Sequence, residues 1–149
     1  EWKELSKTKE LSANGSFKRQ SNRFNDTYEE GNLRVEKDRY RLIWTAACPW
    51  ATRVVIAREI LGLENYISLG EVDPLRPKVD RVDWAFTLDE NNEDPILKSK
   101  YLSEIYFSTD YEYSGRPTVP ILVDTKRGKI VSNDYNYLTL YLNSLEKIS

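Results

Sequence analysis

Residues 40–53, Tyr-Arg-Leu-Ile-Trp-Thr-Ala-Ala-Cys-Pro-Trp-Ala-Thr-Arg, constrain this chain more tightly than any other stretch. Residues 39–46 are apolar and partly β-branched, the pattern of a buried strand. Directly afterwards Ala51, Val54, Val55, Ile56, Ile60 and Leu61 recur at helical spacing, with Arg53, Arg58 and Glu59 between them. The chain must therefore pass from strand to helix within a few residues. Pro49 suits the first helical position, where a missing N–H costs nothing. Cys48 then sits at the helix N-terminus, facing unpaired N–H groups and the positive end of the dipole. That environment favours a thiolate, the reactive form of the side chain. It is the only cysteine.

Composition closes off several classes of function. A length of 149 residues suits one compact domain with its own core. Hydrophobic residues at 40% and charged residues at 31% match a soluble, ordered chain. A net charge of -2 supplies no basic field for nucleic acid or an anionic membrane. No run of apolar residues is long enough to span a bilayer, and no N-terminal segment has a signal-peptide layout, so the expectation is a cytoplasmic protein. One cysteine excludes an internal disulfide and fits a reducing compartment. With no histidine, a metal site is not expected, and a histidine-based triad cannot be built. The absence of methionine and the start at Glu1 suggest a piece of a longer protein.

The chain then reads in order. Residues 1–38 are polar, with turn signals at Ser12–Ser16 and Glu29–Asn32, and form an extended N-terminal arm that Phe17 and Phe24 could anchor. Residues 39–149 form the domain. The first strand spans 39–46 and the first helix 49–62, stopped by Gly62. Tyr66–Val72 is a second strand, and the three elements make a right-handed parallel βαβ unit. From Asp73 to Pro95 the pattern dissolves into a long loop, of a length that is usually functional or disordered, and its Trp84-Ala-Phe86 centre favours function. Helical spacing returns over Ile96–Thr109, with Leu97, Tyr101, Leu102, Ile105 and Tyr106 on one face. Thr118–Asp124 is a strand that carries a proline, Lys126–Lys129 a hairpin turn, and Lys129–Val131 a short strand. Ser132-Asn133-Asp134 caps a closing helix carrying Tyr137, Leu138, Leu140, Tyr141 and Leu142. The order βαβ-α-ββα is an α/β thioredoxin-like fold, a mixed four-stranded sheet with helices on both faces.

Four features carry chemistry, each with a plainer alternative. Cys48 is either a buried, inert thiol or a nucleophile. Its place at a strand-to-helix junction, followed by proline, favours the nucleophile. Ala51 stands where a dithiol enzyme has its second cysteine, so the chemistry is monothiol: Cys48 forms a mixed disulfide that an external thiol resolves. Val119-Pro120 is either an ordinary edge-strand proline or the cis proline that lies beside the cysteine in this fold. A cis peptide there would turn the Val119 N–H and C=O outward, where an extended thiol peptide can pair with them. Ser132-Asn133-Asp134 is a helix cap, and its free N–H groups could also receive a carboxylate while Asp134 holds an ammonium group. Carboxylate and ammonium on one carbon make the γ-glutamyl head of glutathione. Trp84 is by default a packing anchor. Arg53, Arg58 and Arg116 read as ordinary ion-pairing residues.

Residues 40–53 resemble the Tyr-His-Leu-Tyr-x-x-x-x-Cys-Pro-Trp-Ala-His-Arg segment of the glutathionyl-hydroquinone reductases, the xi class of glutathione transferases. The similarity continues through Gly62–Ser68, Trp84-Ala-Phe86, Tyr113–Asp124 and Ile130–Asn133, and includes Gly15-Ser-Phe-Lys-Arg19 in the arm. The resemblance implies that Cys48 attacks the sulfur of a glutathionyl-hydroquinone and becomes glutathionylated, and that a second glutathione releases glutathione disulfide. It implies glutathione contacts at Trp84, Val119, the cis Pro120, Asp134 and Tyr135. Asp134-Tyr135 replaces the family's Glu-Ser, and Thr52 stands where the family has His. Family members continue into an all-helical domain holding the hydroquinone pocket, which these residues do not include. Full reductase activity is therefore not expected from this chain alone, and the family's dimers imply a homodimer for the full-length protein. Glutathione and a small aromatic, quinone-type thioether are the expected partners. An omega-like thiol transferase that removes glutathione from small mixed disulfides is the alternative reaction, and a glutathione-binding module without turnover is the alternative of another class.

Overall fold

A computed structural model describes residues 36–75, 83–134, 136, 138–140 and 142–143. Most of the expected arm, with Phe17 and Phe24, lies outside the described residues, as do Tyr135, Tyr137 and Tyr141. The elements run β1 (Tyr40–Trp44), α1 (Pro49–Ile60), β2 (Ile67–Glu71), a 3-10 turn at Glu90–Asn92, α2 (Leu102–Thr109), β3 (Ile121–Asp124) and β4 (Lys129–Ser132). Residues 136, 138–140 and 142–143 are helical and follow β4. The sheet order is β2-β1-β3-β4. β1 pairs with β2 in parallel, Tyr40 opposite Ile67 and Trp44 opposite Glu71. β3 runs antiparallel to both β1 and β4. This is the mixed thioredoxin-like sheet that the order of elements implies.

Strand alternation sorts the core into two layers. Tyr40, Leu42, Ile67, Leu122 and Val131 pack under Val54 and Val55 of α1 and under Leu138 and Leu142. Ile43, Ile121, Val123 and Ile130 face the other way, against Leu102, Ile105 and Tyr106 of α2. α1 buries Ala51, Val54, Val55 and Arg58. Arg58 is kept there by a 2.6 Å hydrogen bond from its Nε to the Ile67 carbonyl. Ile56 and Ile60 belong to the opposite, exposed side.

Two side-chain ion pairs fix the edges of this arrangement. Arg41 on β1 is buried and reaches across Gly70 of β2 to Asp94, with Nη2 2.8 Å from Oδ1, and its Nη1 donates to Ser68 Oγ at 3.1 Å. A Cβ at Gly70 would stand 2.6 Å from Ile43 Cδ1 and 2.9 Å from Arg41 Nε, so only glycine leaves room for the guanidinium to cross. Asp94 also receives the N–H groups of Ile96 and Leu97 through Oδ2, at 3.2 and 2.8 Å. That side chain shapes a turn, and Lys98 follows with φ of 58°. The helix expected over 96–109 consequently begins only at Leu102. Glu104 Oε2 accepts the N–H groups of Lys100 and Tyr101, which lie outside the helix.

The second pair is Arg39 with Asp124. The guanidinium forks onto the carboxylate, Nε to Oδ1 at 3.0 Å and Nη2 to Oδ2 at 2.8 Å. Asp124 Oδ1 also accepts from the N–H groups of Lys126 and Arg127 in the hairpin turn. The turn closes through Gly128, whose φ of 67° suits glycine. Burial alone would push the Asp124 carboxyl up, but the Arg39 hydrogen bonds and the turn N–H groups outweigh it and hold the group below the usual carboxylate range. Because the folded value is lowered, the stabilisation is in place above the ordinary value of about 3.9 and is lost as pH falls through the folded value. Asp124→Asn is expected to lower stability at neutral pH and to flatten the loss of stability below about pH 4, read from urea midpoints measured across that range.

Candidate functional site

Cys48 is the N-cap of α1, with extended backbone (φ -103°, ψ 111°), and Pro49 takes the first helical position. Its carbonyl accepts from the backbone N–H of Thr52 at 3.0 Å and from Thr52 Oγ1 at 3.1 Å, closing the first turn. Its own N–H donates to the Thr45 carbonyl at 3.2 Å. The thiol is half-buried, and Sγ lies 3.9 Å from the carbonyl oxygen of Val119. The Val119–Pro120 peptide is cis. Thus the helix start and the segment entering β3 meet at one sulfur atom.

A cavity of about 230 Å³ opens over that sulfur, lined by Ala47, Cys48, Pro49, Trp50, Trp84, Arg116, Thr118 and Val119. Three of the expected site residues, Cys48, Trp84 and Val119, are therefore brought together. Pro120 is buried directly behind Val119 and does not reach the lining. Asp134 stands apart as a helix cap. Its Oδ1 accepts from the Asn136 N–H at 3.0 Å, its carbonyl accepts from the Leu138 N–H at 2.9 Å, and its own N–H donates to Ser132 Oγ. Tyr135 lies outside the described residues.

Trp84 is held by its neighbours rather than by the cavity. It is 9% exposed and packs in the α2 layer with Ile43, Leu102 and Val119. The wholly buried Asp83 beside it caps α2, accepting from the N–H groups of Trp84 (2.8 Å) and Ser103 (3.1 Å) and from Ser103 Oγ (2.6 Å). The Trp84 carbonyl accepts from the Leu102 N–H, and the Phe86 N–H donates to the Lys100 carbonyl. Of the long loop expected over Asp73–Pro95, residues 83–95 are tied down by the Asp83 and Asp94 side chains.

Two residues of the site escaped the sequence. Arg116 reads as an ordinary surface cation, yet it is the one charged side chain in the lining. Tyr113 Oη donates to the Arg116 carbonyl at 3.1 Å, an arrangement no local pattern signals. Tyr106 reads as one apolar position on a helix face, yet its hydroxyl donates to the Thr118 carbonyl at 2.8 Å and accepts from the Thr118 N–H at 3.1 Å. Burial pushes the Tyr106 phenol above its ordinary value, so it stays neutral and can serve as donor and acceptor together.

A second cavity of about 470 Å³ borders the first along Ala47 and Pro49, and is otherwise lined by Ala46, Thr52, Arg53 and Ile56. The Arg53 guanidinium sits 5.2 Å from the centre of the Trp50 ring, a cation–π contact that joins the two rims. Among the described residues no group of His, Cys, Asp or Glu is arranged to hold a metal ion. No helix of the described residues is long and apolar enough to cross a membrane.

Comparison with known proteins agrees with this fold. The family model for the glutathione S-transferase N-terminal domain matches residues 47–145. The glutathionyl-hydroquinone reductase YqjG of Escherichia coli K12 is 40% identical over 108 residues, covering 70% of this chain and 31% of that protein. The glutathione S-transferase omega-like 2 of Schizosaccharomyces pombe is 39% identical over 126 residues, covering 83% of this chain and 39% of that protein. The chain thus spans well under half the length of these relatives. Among solved structures, the glutathione-S-transferase Xi of Phanerochaete chrysosporium superposes with a TM-score of 0.75 at 34% identity, covering 85% of this chain and 43% of that one. The glutathione-bound structure of the E. coli YqjG gives 0.68 at 37% identity, over 76% and 37%.

The Asp83 cap is open to test without any ligand. Asp83→Ala is expected to cost about 1–3 kcal/mol of stability by leaving the Trp84 and Ser103 N–H groups unpaired. Denaturant melts check the magnitude, and faster amide exchange at Ser103 would localise the loss to the start of α2.

Proposed function

The chain belongs to the glutathione S-transferase family, through that family's N-terminal domain, and from this membership we propose that Cys48 is its nucleophile and glutathione its thiol substrate. The observation that carries the reading is the position of Cys48 Sγ, 3.9 Å from the Val119 carbonyl in the cavity lined by Trp84 and Arg116. A backbone that presents a carbonyl and an N–H beside a thiol pairs with the cysteinyl unit of an extended peptide. Arg116 offers a guanidinium for a peptide carboxylate.

The reaction we assign is the reduction of a glutathionyl-hydroquinone. The Cys48 thiolate attacks the thioether sulfur, an Sγ–S bond forms and the S–C(aryl) bond breaks. The electron pair and a proton go to the ring carbon, releasing the hydroquinone. A second glutathione thiolate then attacks the glutathionyl sulfur, which frees Cys48 and yields glutathione disulfide. The relationship to the hydroquinone reductase YqjG supports this substrate class. The cavity bordering the site along Ala47 and Pro49 is room for the aryl half. In this reading the further length of such proteins completes the aryl pocket, and the cytosol is the compartment, since its glutathione pool supplies the second thiol. Similarity to the omega-like relative favours a second reading, removal of glutathione from small mixed disulfides by the same Cys48 cycle.

Incubation of the 149-residue chain with glutathione disulfide is expected to give one glutathione adduct by mass, absent in Cys48→Ser. Arg116→Ala should raise the half-saturating concentration about tenfold through loss of a charge-assisted hydrogen bond. No adduct on the wild-type chain would overturn the assignment of Cys48. In the full-length protein, turnover of a glutathionyl-hydroquinone against a mixed disulfide of a small thiol separates the two reactions.

A further inference from the structure

The segment that faces the thiol has no regular secondary structure of its own. Residues 113–120 lie outside any strand or helix, and β3 begins only at Ile121. Something else must hold Thr118 and Val119 where Cys48 can use them. The Tyr106 hydroxyl is placed to do it. This side chain is wholly buried on α2, and its oxygen bonds both main-chain groups of Thr118. The Thr118 hydroxyl lies 3.2 Å away, and Asn133 Nδ2 approaches the same oxygen at 3.5 Å. Tyr113 braces the ring from one side, 4.9 Å between centroids. One oxygen thereby ties α2, the approach to the cis peptide and the residue preceding the Asp134 cap. Val119, next to the residue so held, carries the carbonyl 3.9 Å from Cys48 Sγ.

We infer that Tyr106 is a positioning residue for thiol-peptide recognition: its hydroxyl sets the Thr118–Val119 backbone at the distance from Cys48 that a docked glutathionyl unit requires. The inference rests on the reading of Cys48 as a nucleophile toward glutathione. Tyr106 touches neither the cavity nor the sulfur. Its effect passes through the Thr118 peptide groups, which lose both partners when the hydroxyl is removed and must then shift or find new ones. A site of this kind is sensitive to small displacements, because hydrogen bonds to an extended substrate weaken steeply with misalignment.

The test compares two reagents that need Val119 to different degrees. Iodoacetamide reaches the Cys48 sulfur without pairing to the backbone, whereas glutathione disulfide must seat a peptide against it. In Tyr106→Phe the rate of glutathionylation is expected to fall about tenfold, the loss of roughly one hydrogen bond. Alkylation by iodoacetamide should stay within about twofold, since the sulfur and the helix start that carries it are untouched. Equal losses with both reagents, or no loss with either, would overturn the positioning role. A cooperative thermal melt of the variant guards against loss of the fold. Should the variant not fold, amide exchange on the wild-type chain decides instead. The Thr118 N–H is expected to exchange at least about 100-fold more slowly than that of Gly115, and equal exchange sinks the inference. Failure of the wild-type chain to take up glutathione would overturn the functional reading, and the inference with it. A wild-type adduct formed equally fast by the variant overturns the inference alone.

Discussion

The buried ion pair between Arg41 and Asp94 is the contact on which the site side of this molecule depends. A guanidinium on an inner strand of the sheet is an expensive choice, since two charges leave water and regain only what their geometry returns. Here the return is nearly complete. Asp94 Oδ1 takes both Nε and Nη2 of Arg41, Ser68 takes Nη1, and Asp94 Oδ2 is satisfied by two backbone N–H groups. Hydrophobic residues of the same size could hold the sheet as well, but they would not fix a loop register. The pair does, because Asp94 belongs to an excursion with little regular structure of its own. With the outer part of that loop fixed, its two limbs can pair, Ala85 opposite Tyr101, and α2 starts where Asp83 can cap it. Trp84 then reaches the cavity as a consequence of the register.

The sulfur is framed by segments that share no sequence neighbourhood. α1 contributes Cys48 through a proline-started helix, and the loop contributes Trp84. The approach to β3 contributes Arg116, Thr118 and Val119. α2 contributes nothing to the lining, yet its Tyr106 holds the Thr118 peptide groups, and Tyr113, just beyond the helix, holds the Arg116 carbonyl. The site is thus a layered object: main-chain groups face the ligand, and buried tyrosines face the main chain.

Much of this was legible because the signals were local. The strand-to-helix junction at Cys48, the left-handed Gly62 after α1, the hairpin ending at Gly128 and the period-two faces of β3 and β4 follow from residues within a few positions of one another. The start of α2 was not legible. Apolar spacing extends back to Leu97, but the N–H groups there are claimed by the Asp94 and Glu104 side chains, and Asp83, which takes the Ser103 N–H, lies 20 residues away. Ile56 and Ile60 fit the helical period equally well and still face outward, since the period alone does not say which side meets the sheet. Nothing near Arg41 in the sequence marks it as an ion-pair member, because its partner Asp94 lies 53 residues on. Asp134 serves as a helix cap outside the cavity lining, and Tyr135 lies outside the described residues.

Monothiol chemistry has a geometric consequence for the proposed cycle. Ala51, one turn after Cys48, is wholly buried in the core, and the proposed cycle takes its resolving thiol from a second glutathione. Displacement at sulfur runs in line, with the entering and departing groups on opposite sides. In the first step Cys48 enters and the aryl carbon departs. In the second the external thiolate enters and Cys48 departs. The aryl group and the second glutathione therefore use the same side of the glutathionyl sulfur, one after the other. The hydroquinone therefore leaves that side before the second thiol enters it, while the first glutathionyl unit stays on Cys48. Successive use of one side of the sulfur is a ping-pong order, with no ternary complex of hydroquinone and second thiol.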